Sequence, residues 1–258
     1  MNHWLVKRDY PLILGHRGAS AYYPENTLGS FKLAQIQGAH GVEFDVKLCA
    51  SGEVVLMHDT DVQRTTNGTG NVHELALTQL RTLDAGHGER VPTLDEVFEE
   101  FGGAVQAPGP VGSFETEPRP FLFNIEITNY QTQGDGLESA VVDVVRRHHI
   151  ESQVMISSFS PASLILMLGL APETPRGFLY HEMFHTGFHG VELSAMKPSF
   201  RHPHFSMVTK EDVAGFKAEG VGVQVWTVNE PEDMLRMAAY GVAGIMGDSP
   251  KLMRETLG

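Results

Sequence analysis

Gly41-Val42-Glu43-Phe44-Asp45-Val46-Lys47-Leu48-Cys49-Ala50-Ser51-Gly52-Glu53-Val54-Val55-Leu56-Met57-His58-Asp59 holds two strand-like runs, 42–47 and 54–57. The gap between them is far too short for a helical crossover, so the pair must be an antiparallel hairpin turning at Ser51-Gly52. Strand-like segments fall at 12–15, 42–47, 54–57, 121–127, 154–157, 176–180, roughly 196–200, 222–228 and 244–247. Helical patterns near 26–37, 93–101, 135–149, 160–169, 209–219 and 230–239 separate most of them. That alternation calls for parallel strands with covering helices and right-handed crossovers. Nine strands are one too many for an eightfold barrel, and treating 54–57 as a hairpin return leaves eight. The predicted fold is α/β: a TIM (β/α)8 barrel with a hairpin at the second strand and a small insertion after it, about 59–120. One domain, 1–258, is expected, a length usual for this architecture.

The hairpin carries a positional expectation. With Ser51 and Gly52 as the turn, Ala50 faces Glu53 and Asp45 lies opposite His58. Glu43, Asp45 and His58 would then share a face. Acids two residues apart inside an apolar strand are unusual, because a buried carboxylate is costly unless paired or bound to a metal. The pattern repeats in Phe121-Leu122-Phe123-Asn124-Ile125-Glu126-Ile127, which puts Asn124 and Glu126 on one face. Glu43, Asp45 and Glu126 at strand ends make an oxygen-rich set suited to Mg²⁺ or Ca²⁺. Zinc would more usually take histidine or cysteine.

A second apolar strand, Leu12-Ile13-Leu14, ends in Gly15-His16-Arg17-Gly18-Ala19. Glycines at both flanks permit unusual backbone and close approach of a ligand. They set a titratable base, His16, beside a permanent anion binder, Arg17. Another strand ends at a base in Val54-Val55-Leu56-Met57-His58-Asp59. Imidazoles on opposite sides of a phosphorus can take a proton from the attacking oxygen and give one to the leaving oxygen. Arg17 and a cation would stabilise charge on the phosphoryl oxygens.

A net charge of −13 argues against nucleic acid as a partner and means that any phosphate substrate needs local positive charge. Cys49 is the single cysteine, which excludes an intramolecular disulfide and fits a filler beside a turn. No apolar run of eighteen residues occurs, so no stable membrane insertion is expected. The first residues lack the apolar segment of a secretory signal, and the expected location is cytoplasmic. Ala107 to Pro120 is rich in proline and glycine and is expected to form an exposed loop.

The motifs His16-Arg17-Gly18-Ala19, Pro24-Glu25-Asn26-Thr27, Gly41 to Val46, Val54 to Asp59 and Arg64-Thr65-Thr66 occur in order. Asn124-Ile125-Glu126-Ile127, Ile156-Ser157-Ser158-Phe159 and Val225-Trp226-Thr227-Val228-Asn229 follow them. The ordered set resembles the glycerophosphodiester phosphodiesterase family from about residue 12 to residue 250. The resemblance implies a TIM barrel that hydrolyses a glycerophosphodiester, a small-molecule substrate, to glycerol 3-phosphate and an alcohol. It implies Glu43, Asp45 and Glu126 as ligands of one divalent cation, His16 and His58 as acid and base, and Arg17 on the phosphate. Trp226 would line the glycerol pocket. A glycerol hydroxyl attacking first would give a cyclic phosphate that water opens.

One position departs from the family pattern, which usually has lysine two residues after the third acid; here it is Thr128. Two alternatives share the scaffold: a lyase that stops at the cyclic phosphate, and a barrel that binds phosphodiesters without turnover. Retention of both histidines argues against the second. His181-Glu182-Met183-Phe184-His185 matches a short zinc-protease motif, with His189 following. Gly177 and Gly187 leave little room for the helix that motif requires, so a histidine-rich loop at the barrel mouth is the expectation.

Overall fold

The computed structural model describes residues 1–103, 105–106, 118–182 and 194–258. In chain order the strands are β1 (Leu12–His16), β2 (Gly41–Leu48), β3 (Val54–Leu56), β4 (Val105–Gln106), β5 (Arg119–Pro120) and β6 (Leu122–Ile127). β7 (Val154–Ser158), β8 (Arg176–Tyr180), β9 (Phe200–Pro203), β10 (Gly222–Val225) and β11 (Gly244–Gly247) follow. The helices of four or more residues include α1 (Leu28–Ile36), α2 (Leu77–Leu80), α3 (Leu94–Phe101), α4 (Leu137–His148) and α5 (Pro161–Leu170). The last three are α6 (Lys210–Ala218), α7 (Pro231–Tyr240) and α8 (Pro250–Leu257).

Eight strands, β1, β2 and β6 to β11, pair in parallel, and the ring closes because β1 bonds to both β2 and β11. This is the TIM barrel. Alternation sorts each strand's side chains. Val42, Phe44 and Val46 of β2 and Phe123, Ile125 and Ile127 of β6 point outward into one core beneath the helices. The alternate residues Glu43, Asp45, Asn124 and Glu126 therefore point into the barrel. On the outside, Phe98 and Phe101 of α3 meet Phe123 at 5.2 Å and Phe121 at 6.0 Å between ring centroids. Thr93 caps α3 by accepting from the Glu96 N–H, and Glu96 returns a bond to the Thr93 N–H. The long excursion after the second strand thus ends in an ordinary crossover helix.

Inside the barrel, Leu12, Leu14, Leu122, Met155, Phe200 and Met246 form an apolar plug. Trp4 joins it from the N-terminal turn, its indole N–H donating to the Gln153 carbonyl at 2.8 Å. Because this plug fills the lower barrel, the polar inward residues gather at the carboxyl ends of the strands.

The hairpin forms, but its register differs by one from the sequence reading. Val46 faces Leu56, Lys47 faces Val55 and Leu48 faces Val54. Asp45 consequently lies across from Met57, whose N–H donates to the Asp45 carbonyl at 3.1 Å. The cause is a three-residue loop. The Cys49 N–H donates to the Glu53 carbonyl, the Gly52 N–H donates to the Cys49 carbonyl, and Gly52 takes φ +94°. A glycine in the left-handed position is what three-residue hairpin loops require. His58 therefore follows the strand rather than facing Asp45. Cys49 is buried in this turn, its thiol donating to Glu53 at 3.1 Å.

The strand expected at 196–200 is instead β9, Phe200–Pro203. Arg201 and His202 disguise it. Arg201 faces outward over the Phe216 ring at 5.4 Å, while His202 is fully buried inside the barrel. Among the described residues, no helix is long and apolar enough to cross a membrane.

Candidate active site at the barrel mouth

Parallel registry brings the inward acids side by side. Glu43 pairs with His16 on one side and Asn124 on the other, and Asp45 pairs with Glu126 one layer higher. Ligand oxygens of Glu43, Asp45 and Glu126 all lie within 4.8 Å of one another. All three side chains are nearly buried. Burial raises the pKa of Glu43 well above the usual carboxylate range, and repulsion from Asp45 and Glu126 adds to it. Burial and Asp45 push Glu126 up to about 8, against the pull of Tyr130, Arg17 and Lys47. Three carboxylates this close cannot all ionise without a compensating positive charge. An all-oxygen donor set with that deficit suits a hard divalent cation.

Arg17 sits on the β1 side of the cluster. Its backbone adopts φ +55° and the following Gly18 φ +91°, the strained turn allowed by a glycine whose Cβ would strike Ser30. The Arg17 N–H donates to the Glu43 carbonyl at 2.8 Å, which fixes this turn against β2. The guanidinium pairs with Glu25 at 2.9 Å and with Asp45 at 3.2 Å. Burial would lower its pKa, but Asp45, Glu43 and Glu25 together raise it. Asn26 completes the arrangement by donating to Asp45 Oδ2 at 2.9 Å.

Each flanking histidine leans on a carboxylate. His16 Nδ1 is 2.7 Å from Asp248 Oδ1, and its Nε2 is 4.0 Å from Glu43. Asp248 also accepts from Ser20 at 3.0 Å and Asn229 at 2.6 Å. Burial raises the Asp248 pKa, but His16, Asn229 and Ser20 together hold it below the ordinary value. His58 Nδ1 is 2.6 Å from Asp59 Oδ1, and Asp59 pairs with Arg64 at 2.6 Å. Arg64 in turn clasps Glu25 with two bonds of 2.8 Å. A continuous chain of polar contacts therefore runs from His58 through Asp59, Arg64, Glu25 and Arg17 to Asp45. In both histidines Nδ1 is occupied, which leaves Nε2 as the atom available to a ligand.

The opposite wall is aromatic. Tyr130 donates to Glu126 Oε1 at 2.8 Å and meets Phe159 at 6.1 Å, and Phe159 meets Trp226 at 5.5 Å. The Trp226 indole N–H donates to the His202 carbonyl at 2.8 Å, which orients the ring, and His204 and His181 lie beside it. On the β6 side, Lys47 reaches Thr128, donating to its carbonyl at 2.6 Å and its hydroxyl at 3.0 Å. Burial lowers the Lys47 pKa, while Asp45, Glu126, Asp59 and Asp135 press it back up.

Residues 16–252 match the model of the glycerophosphoryl diester phosphodiesterase family. This chain belongs to that family. A glycerophosphodiester phosphodiesterase of Caldanaerobacter subterraneus subsp. tengcongensis is 37% identical over 253 residues, covering 94% of this chain and 96% of that protein. One from Bacillus altitudinis is 33% identical, covering 92% and 94%. Among solved structures, an Oleispira antarctica phosphodiesterase in complex with the product sn-glycerol-3-phosphate superposes with a TM-score of 0.82 at 28% identity, covering 96% of each chain. A Thermotoga maritima glycerophosphodiester phosphodiesterase gives 0.74 at 26% identity, covering 96% of this chain and 99% of the other.

In this family member, Glu43, Asp45, Glu126, His16 and Arg17 converge directly, Trp226 stands in the aromatic wall, and His58 joins through the Asp59–Arg64 contacts. Sequence reasoning missed Asp248, Asp59, Tyr130 and the pairing roles of Glu25, Asn26 and Arg64. Asp248 carried a usable signal, being an acid directly after the last barrel strand. His185, His189 and residues 107–117 lie outside the described residues.

Proposed function

We propose that this protein hydrolyses glycerophosphodiesters to sn-glycerol 3-phosphate and an alcohol, with Glu43, Asp45 and Glu126 holding one Mg²⁺ or Ca²⁺ and His16 and His58 moving the protons. The observation that carries this reading is the convergence of three nearly buried carboxylates with two carboxylate-backed imidazoles at the mouth of one barrel. When bound, the cation would withdraw charge from the phosphoryl oxygens and so stabilise the transition state. Arg17 binds a phosphate oxygen from the β1 side, its direction set by Glu25 and Asp45. One imidazole Nε2 takes the proton from the attacking glycerol hydroxyl while the other delivers a proton to the departing alcohol oxygen, giving a cyclic phosphate and the alcohol. With the two roles reversed, water then attacks the phosphorus, the ring P–O bond breaks, and glycerol 3-phosphate is released. Asp248 and Asp59 fix the tautomer and stabilise each imidazolium as it appears. Trp226 and Phe159 supply an apolar flank for the carbon face of glycerol. The Oleispira antarctica complex supports this product assignment, since its bound molecule is sn-glycerol-3-phosphate.

Phosphorus NMR of glycerophosphocholine treated with the protein and Mg²⁺ tests the reading. Glycerol 3-phosphate should accumulate as the final phosphorus species. A cyclic phosphate as the lasting product would mean a lyase, and an unchanged spectrum would mean a binding barrel. His16→Ala and His58→Ala should each slow turnover by about 10²–10⁴-fold with the fold intact; a near-normal rate for either removes that residue from the mechanism.

A further inference from the structure

Among the described residues, Glu25, Glu43, Asp45, Asp59, Glu126 and Asp248 crowd this mouth, with Arg17, Arg64 and Lys47 set among them. The two arginines are committed. Arg17 pairs with Glu25 and Asp45, and Arg64 pairs with Glu25 and Asp59. Lys47 differs. It lies two residues beyond Asp45 on the same inward face of β2, and its ammonium is held by two neutral oxygens of Thr128. Thr128 is itself fixed, its hydroxyl donating to the Val46 carbonyl at 2.8 Å. An ammonium has three donors, and Thr128 takes two of them, so one N–H remains for a ligand. Among the described residues, no carboxylate oxygen lies within ion-pair distance of it.

The placement is complementary. Arg17 follows β1 and flanks the carboxylates on one side, whereas Lys47 spans from β2 to the end of β6 on the other. For a phosphodiester anion entering a protein of net charge −13, these two side chains add positive charge on either side of the carboxylates that would hold the cation. We infer that Lys47 is a second phosphate-binding cation of the site, its free N–H donating to a phosphoryl oxygen on the side away from Arg17, with Thr128 as the residue that positions it. The inference rests on the phosphodiesterase reading above and deepens it by naming which side chain completes the anion site.

The test uses the full chain with Mg²⁺ present. Hydrolysis of glycerophosphocholine and calorimetric binding of sn-glycerol 3-phosphate are measured for wild type, Lys47→Met and the double exchange Lys47→Thr/Thr128→Lys. The exchange moves the amine to the neighbouring strand. A charge-assisted hydrogen bond of this kind is worth roughly 10- to 100-fold. Lys47→Met should therefore lower kcat/KM and weaken glycerol 3-phosphate binding by at least about tenfold, with melting temperature and Mg²⁺ affinity unchanged. The exchange should recover most of both losses. Wild-type values from Lys47→Met in both measurements, or a loss matched by an equal loss of Mg²⁺ affinity, would overturn the inference. If wild type binds glycerol 3-phosphate but hydrolyses nothing, the hydrolase reading falls while the binding arm still decides the role of Lys47.

Discussion

In the proposed mechanism Asp248 would act through another residue, His16. It touches His16 at 2.7 Å while Asn229 and Ser20 hold it in place. An amide at this position keeps the shape but removes the charge that stabilises the imidazolium and can hold the wrong tautomer. Asp248→Asn should therefore reduce kcat by about 10²–10⁴-fold with little change in stability, and steady-state kinetics beside a melting curve checks both halves. An unchanged kcat would mean that His16 does not carry a proton. Such residues were poorly legible beforehand. Glu43, Asp45 and Glu126 declared themselves as acids interrupting apolar strands, where burial demands a reason. Asp248, Asp59 and Arg64 stand in loops, where a charged side chain is ordinary and only coordinates reveal its partner.

Among the elements, the hairpin and β9 mark where pattern reading stopped short. Alternation located β2 and its partner, but register depended on one extra loop residue, a local detail that hydrophobicity does not encode. β9 was displaced because Arg201 and His202 look like loop residues until Phe216 and the barrel interior are seen to receive them. Two glycines separate backbone cost from steric cost. Gly52 takes φ +94° with nothing near its missing Cβ, so Gly52→Ala should cost only the left-handed strain, about 1 kcal/mol. In Gly177 a Cβ would lie 2.4 Å from the His202 ring, so Gly177→Ala should cost about 1–3 kcal/mol through overpacking. Urea unfolding of both variants tests this order, and an equal or reversed cost would show that the ring at His202 can move aside.

At the scale of the whole molecule, the barrel is a plugged cylinder that concentrates its polar groups at one end, and this shape gives it a pH signature. Burial holds His202 down to about 3 from 6.5, and neither ring nitrogen has a hydrogen-bond partner among the described residues. Below pH 6.5 the unfolded chain takes up a proton that the folded chain refuses. Stability from this group is thus complete above that pH and is lost as pH falls toward 3, at roughly 1.4 kcal/mol per unit. Between pH 6.5 and 5, His202→Leu should lose about 2 kcal/mol less than wild type by urea unfolding. Parallel losses would mean that the ring protonates in place. Closure of the barrel was legible because strands alternate with helices and setting aside the hairpin strand leaves eight; the meeting of distant acids at its mouth follows from that closure. The most direct test of that meeting is the rate of glycerophosphocholine hydrolysis in excess EDTA and after Mg²⁺ or Ca²⁺ is returned. The account predicts that wild-type activity disappears and returns, and that Asp45→Asn needs at least about tenfold more cation to recover any activity. Full wild-type activity in excess EDTA would contradict it.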